Sequence, residues 1–460
     1  MNTNASCLTA VFLATLLPFA AMAQTSSTTT APDDQLAQTS ILQARPPSDA
    51  SVILVSSENA PPAPVKPVSA ASASIPAVSA TSEGLVFSTA DGSDTLKVHG
   101  YLQAQNRMFD STLKGAAPDI FLFRKIRPIF EGTLFNALDF RFMPDFGQYT
   151  PQIQEAYVEL KSVPFAKVRI GKFKEPIGLE VLRSDRDLIF IERSTASDLL
   201  PLRYLGAQLS GSILSNSISY AAGYFNGSSD GTNGVFSQWT QSNEGAARLF
   251  LQPLTTTNIS FIRGFGLGVA GSAGHQHGAI PGLKTVGQST FFKYSSGVLA
   301  NGEHNRISPQ AYYYGGPVGL LGEYAISSQH VIKKADAGAI KNEAWEVTGS
   351  VALTGEKNSY DGIRPRKSFE PSQGFRHLGA LELALRTSQV RIDHAAFPFF
   401  ASTSTAAGRA NEYGIGLNWY LNNFVKLSTD YERTVFGMAA STVSRLHNEN
   451  VLMSQLQLGF

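Results

Sequence analysis

Lysine and arginine recur at two-residue spacing inside short apolar runs of this chain, as in Lys125 and Arg127 or Lys167 and Arg169. Residues two apart on an extended strand share a face, and the same alternation puts Arg141, Arg248, Arg306 and Arg386 on the polar side of their segments. Guanidinium and ammonium groups gathered on one face do the chemistry of anion recognition. They replace part of an anion's hydration shell and repel cations, with no covalent step. The competing role is structural, because Glu155, Glu159, Glu180, Asp185, Asp187 and Glu192 offer nearby partners. Sequence alone leaves both roles open for each side chain.

Other chemistries find little support. His275-Gln276-His277 sets two imidazoles on one side of a strand, but no carboxylate or third histidine lies near, and the glycine-rich surroundings read as a loop tip. No metal site is expected there. No G-x-S-x-G motif occurs, and nothing pairs a serine with a base, so a membrane hydrolase is not supported. The lone cysteine, Cys7, falls in the leader, which leaves the mature chain without disulfides or thiolate chemistry. Neither an enzyme nor a cofactor is expected. A net charge of +1 creates no global field to attract nucleic acid.

The elements that carry these cations are alternating strands. In 124–130, Ile126, Pro128 and Phe130 oppose Lys125, Arg127 and Ile129. In 139–146, Phe140, Phe142, Pro144 and Phe146 oppose Asp139, Arg141, Met143 and Asp145. In 344–353, Trp345, Val347, Val351 and Leu353 oppose Glu346, Thr348 and Ser350. Glu131-Gly132-Thr133 and Asn422-Asn423 read as tight turns, and 228–234 as a longer loop. A soluble sandwich alternates in the same way with its charges outside. Length separates the two: sharing the chain after Asp94 among 16 strands leaves about 23 residues for each strand and connection, which suits tilted membrane strands. No apolar run of ~20 residues occurs beyond the N-terminus, so a helical span is excluded. The expected fold is all-β, a 16-stranded antiparallel transmembrane β-barrel.

The two ends assign the compartment. Residues 8–20 form an apolar stretch of secretory length, and Ala21-Met22-Ala23 is a small-residue cleavage site, so 1–23 reads as a signal peptide. Residues 24–83 are rich in Ala, Ser, Thr and Pro, too poor in apolar surface to offset ordering entropy, and read as a disordered linker. The barrel then spans 84–460. Its last strand, 451–460, alternates with Leu452, Leu456, Leu458 and Phe460 on one face, and a terminal aromatic there resembles the signature read by bacterial barrel-insertion machinery. The expected location is the bacterial outer membrane, among outer-membrane lipid and lipopolysaccharide.

Several longer words now fit together. Residues 84–105, Phe123-Arg124-Lys125, the run Gly171-Lys172-Phe173-Lys174-Glu175-Pro176-Ile177-Gly178-Leu179-Glu180, and Ile191-Glu192-Arg193-Ser194 resemble the phosphate-selective porin O/P family. Leu353-Thr354-Gly355-Glu356 and Gly416-Leu417-Asn418-Trp419-Tyr420 continue the likeness. The resemblance implies a homotrimer of 16-stranded barrels, each constricted by an inward-folded third loop, here about 174–205. That loop adds Arg183, Arg186, Arg193 and Arg203. Carried over position by position, the family's anion site becomes Arg124, Lys125, Ser184, Arg186 and Arg193, with Arg127, Arg141, Arg169 and Arg183 as further pore-lining candidates. At Tyr101, Asp139, Val181 and Asp185 the chain departs from the pattern, losing donors and gaining carboxylates. Hydrogen bonds to charged groups contribute roughly 1.5–3 kcal/mol each, so the expectation is passive diffusion of small inorganic or organic anions with weak preference. A general channel and a structural or adhesive barrel are the alternatives. The basic run 361–367 is expected in an extracellular loop, where it would attract anions or lipopolysaccharide phosphates.

Overall fold

The alternation resolves with its charges buried. On the strand Asp336–Ala352, Asn342, Glu346, Thr348 and Ser350 are buried while Val347 is exposed. On Val425–Gly437, Lys426, Asp430 and Glu432 are buried and Tyr431 is exposed. Exposing Val, Leu and Tyr while enclosing carboxylates is the pattern for strands whose outer solvent is hydrocarbon. The sandwich reading fails on this point.

The computed structural model describes residues 77–81, 84–110, 117–163, 165–227, 242–259, 261–437 and 447–460. The signal-peptide reading of 1–23, most of the 24–83 linker and the 228–234 loop lie outside the described residues. Twenty strands are described: β1 Ala77–Thr81, β2 Gly84–Ser88, β3 Thr95–Phe109, β4 Ile120–Leu134, β5 Leu138–Asp145, β6 Gln152–Val163, β7 Ala166–Lys174, β8 Arg203–Ile213, β9 Ile218–Phe225 and β10 Asn243–Leu251. There follow β11 Phe265–Gly278, β12 Leu283–Lys284, β13 Thr290–Phe292, β14 Leu299–Gly315, β15 Val318–Lys333, β16 Asp336–Ala352, β17 Ala380–Arg391, β18 Arg409–Tyr420, β19 Val425–Gly437 and β20 Glu449–Gly459.

Sixteen of them, β3 to β11 and β14 to β20, pair antiparallel in chain order, and β20 closes the ring on β3. Closure leaves no open edge, the condition for strands in lipid. Gly100 and Phe460 exchange both backbone hydrogen bonds, at 3.0 and 3.1 Å. A Cβ at Gly100 would meet the Phe460 ring at 2.7 Å, so this contact requires glycine. Below it β2 takes over pairing to β3, and β1, from the end of the linker stretch, pairs with β2. Residues 283–292 carry the separate small pair β12 and β13.

Most short connections gather at one end: 135–137, 214–217, 316–317, 421–424 and the one between β6 and β7. By the usual asymmetry of these barrels that end faces the periplasm. Asn422 supports its turn as expected, its Oδ1 accepting from the backbone N–H groups of Phe424 and Val425 at 2.8 Å each. Glu131-Gly132-Thr133 is instead within β4, and the chain reverses at Phe135 and Asn136, both at positive φ. His275 and His277 lie on β11 rather than at a loop tip. The segment 353–379, with its basic run, leaves β16 at the short-turn end. It is therefore not an extracellular loop: β16 runs from the long-loop end to the short-turn end, and the basic composition of 361–367 carries no information on that direction.

Candidate functional site

The connection 175–202 joins β7 to β8 and is hydrogen-bonded by side chains of β15, β18, β19 and β20. Its single helical turn, Leu179–Leu182, has its first N–H groups bound by Glu323 of β15, which accepts from Leu179 N at 2.6 Å and Glu180 N at 3.1 Å. Further along, Glu412 of β18 accepts from Thr195 N at 2.8 Å and Asp430 of β19 from Ile191 N at 2.5 Å. Lys426 of β19 donates to Leu188 O, and Gln457 of β20 to Arg186 O. Carboxylates on the far wall thus satisfy N–H groups that no secondary structure satisfies. Ile177, Leu179 and Val181 are fully buried. Each such side chain contributes about 1.5–3 kcal/mol by leaving water. Val181, one of the positions expected to depart from the family pattern, packs beside Gly178 and Leu200.

Five predicted residues converge on two acids of this connection. Asp185 pairs with Arg127, with Arg193 at 2.5 Å, and with Lys125 and Arg203 at 3.6 Å. Glu192 pairs with Arg124 at 2.6 Å and Arg107 at 2.8 Å. Consecutive residues on a strand normally face opposite ways, and Arg124 with Lys125 breaks the rule through a bulge. Gln103 pairs with Lys125 but Ala104 with Phe123, so Arg124 is the extra residue. Both cations therefore reach the same connection. Tyr101 accepts a 2.9 Å hydrogen bond from Arg127, which also bonds Asp145 at 2.7 Å. Asp139 is held by Lys161 at 2.6 Å.

Burial alone would raise both loop carboxyls. For Glu192 the Arg124 and Arg107 guanidinium groups outweigh it and bring the carboxyl down to about 2. For Asp185, Arg193, Lys125, Arg127 and Arg203 hold it well below the usual carboxylate range. A carboxyl depressed in the fold stabilises above its unfolded value of roughly 4.3 and loses that contribution as pH falls toward its folded value. The stability difference between wild type and Glu192→Gln is therefore expected to be constant from pH 8 to about 5 and to shrink steadily below about 4. Thermal unfolding across that range checks it; a difference independent of pH would place Glu192 outside the ion pairs.

Two cavities meet at this web. The one toward the long-loop end has a volume of about 570 Å³ and is lined by Arg124, Lys125, Arg127, Arg193, Arg203 and Lys284 with four acids, Asp145, Asp185, Glu192 and Asp198. The one toward the short-turn end, about 530 Å³, is lined by Arg141, Lys167, Arg169, Lys174, Arg203 and Arg248 with two acids, Glu155 and Asp185. Asp185 and Arg203 line both. Ser184 faces the second cavity. Arg141 is shared between Glu131 and Glu155, at 2.7 and 3.1 Å, and Arg169 bonds Glu159 at 2.6 Å while lying over the Tyr157 ring.

Arg183 and Arg186 line neither cavity. Arg183 is buried over the Tyr360 ring and bonds Ser359 O, and Arg186 donates to Asn423 O at 2.9 Å. Among the described residues neither has an acid within ion-pair distance. Because it lines neither cavity, replacing Arg186 by Ala is expected to leave the reversal potential nearly unchanged without unfolding the chain; a clearly smaller reversal potential would return Arg186 to the pore cations. Arg386, predicted as a pore cation, is instead enclosed by Glu412 and Glu432 at 2.6 and 2.5 Å. Sequence reasoning missed Arg107, Lys284 and the wall acids Glu323, Glu412, Asp430 and Glu432. The alternation along β15, β18 and β19 carried the signal for these acids, each at a position facing the polar side.

Comparison with known proteins agrees with this architecture. Residues 96–460 match the family described as phosphate-selective porin O and P. Porin O of Pseudomonas aeruginosa is 23% identical over 396 residues, covering 76% of this chain and 85% of that protein. Among solved structures, the outer-membrane channel DcaP of Acinetobacter baumannii aligns with a TM-score of 0.51 at 9% identity, over 82% of this chain and all of that one. The anion-selective porin of Comamonas acidovorans aligns at 0.50 and 11% identity, over 80% of this chain and all of that one. These last two show a shared porin barrel. With a match across the closed ring and both halves of the charge web, the chain belongs to the phosphate-selective porin O and P family.

Proposed function

We propose that this outer-membrane porin is a passive channel that favours small anions and holds them weakly, with the connection 175–202 folded into the lumen as its constriction. The observation that carries this reading is the pair of cavities, each lined by six cations and fewer acids, that meet at Asp185 and Arg203. An anion entering either cavity meets excess positive charge, which replaces part of its hydration. At the meeting point Asp185 already occupies the cations that would otherwise hold it, so it passes on. The web around Asp185 thus takes the place of a bound anion. Signal-peptide residues 1–23 deliver the chain across the inner membrane, supported by the Ala21-Met22-Ala23 site. Family membership supports assembly as a homotrimer.

Phosphate competition tests the weak-binding half of this reading. With chloride as the main anion in a planar bilayer, millimolar phosphate is expected to leave single-channel conductance nearly unchanged. Block at far lower phosphate concentrations would reveal a tight phosphate site and overturn it.

A further inference from the structure

The outer wall of β16 to β19 carries a basic cluster separate from the lumen. Arg391, Arg409 and Arg433 are exposed, outward-facing residues toward the long-loop ends of β17, β18 and β19, joined by Lys341 on β16. Register places Arg391 directly beside Arg409, and Arg433 beside Tyr413, four residues further along β18. Like charges opposed in a ladder repel. Glu343 answers part of this charge, meeting Arg391 at 2.7 Å and Lys341 at 3.5 Å. Among the described residues no acid lies within ion-pair distance of Arg409 or Arg433.

Below the cluster the wall turns apolar. Val347, Leu385, Tyr413, Ile415 and Tyr431 border a groove of about 540 Å³ that also reaches Arg433 and is floored by Gly349 and Gly414. The wall of β4 differs: toward its long-loop end it exposes Ile120, Phe121 and Phe123. Arginine on the lipid-facing side is unfavourable in hydrocarbon and tolerated near the headgroups. The arrangement is thus a cationic head site above an acyl-sized groove, at the end that meets the outer leaflet.

We propose that this wall binds lipopolysaccharide, with the phosphates of its lipid A on Arg391, Arg409 and Arg433 and an acyl chain in the groove below. Charge complementarity selects this occupant over a zwitterionic phospholipid, which would fill the groove but bring no net negative charge to the arginines. The inference goes beyond the transport reading and uses only the outer-membrane location.

Native mass spectrometry of the detergent-purified full chain tests it, with bisphosphorylated lipid A and the same lipid stripped of phosphate as probes. Wild type is expected to bind the phosphorylated form at least about ten-fold more tightly, and each Arg→Gln change to weaken it about five-fold, the effect of one basic residue at a charged membrane surface. The triple variant R391Q/R409Q/R433Q is expected to bind the two lipids alike while keeping wild-type conductance. Equal wild-type affinity for both lipids would overturn the proposal, as would a triple variant that still discriminates. A triple variant that changes oligomeric mass while binding lipid normally would assign the wall to a subunit contact and also overturn it. Should the triple variant fail to fold, the wild-type comparison and the single variant R433Q decide.

Discussion

Replacing Asp185 by Asn is expected to raise the anion preference of the channel and to lower its stability together. The carboxylate meets Arg127, Arg193, Lys125 and Arg203, which come from β4, the connection 175–202 and β8. Removing one member of a buried ion-pair network leaves uncompensated charge and costs about 3–5 kcal/mol. Here four cations lose their common partner where both cavities meet, which the proposed function places on the path of the ions. The anion-to-cation permeability ratio should increase several-fold, and phosphate should now bind where the carboxylate stood. Bilayer recordings with chemical unfolding of the same preparation check both effects. A less stable variant with an unchanged permeability ratio would show that Asp185 fastens the loop without facing the ions.

Replacing Arg386 by Met should have an effect of similar size and a different signature. Arg386 bonds Glu412 and Glu432, approaches Glu180 at 3.5 Å, donates to Glu192 O at 2.9 Å and lies 4.2 Å from the centre of the Phe190 ring. It therefore ties two strands of the wall to both halves of the connection. Methionine keeps the volume but leaves Glu412 and Glu432 facing each other, for a loss of about 3–5 kcal/mol. Glu412 also accepts from Thr195 N, so the connection loosens with the wall. Larger and noisier conductance with little change in ion preference is the expected result. The double change of Arg386→Met with Glu432→Gln should recover part of the stability, because it removes one of the stranded carboxylates. No recovery would place the main contribution of Arg386 in its packing on Phe190.

The barrel was legible in the sequence because alternation is a local property. Lys125, Arg127 and Met143 face where their neighbours predicted. Arg124 does not follow from its own strand, since the bulge that turns it is set by the register of β3 against β4. Asp185 is legible as a carboxylate near the loop cations, but its four partners span residues 125–203 and meet only after the ring closes. The same holds for Glu323, Glu412 and Asp430, whose alternation was visible but whose targets, N–H groups of a connection more than a hundred residues earlier, were not. Family likeness groups Arg186 with the pore cations and place in the loop groups Arg183 with them, while local packing sends both elsewhere.

Reversal potential in a salt gradient tests the central claim most directly. With purified wild-type protein in a planar bilayer and a ten-fold potassium chloride gradient at neutral pH, the sign should report chloride moving more readily than potassium. A sign reporting potassium preference would contradict the anion-favouring channel, whatever the fold.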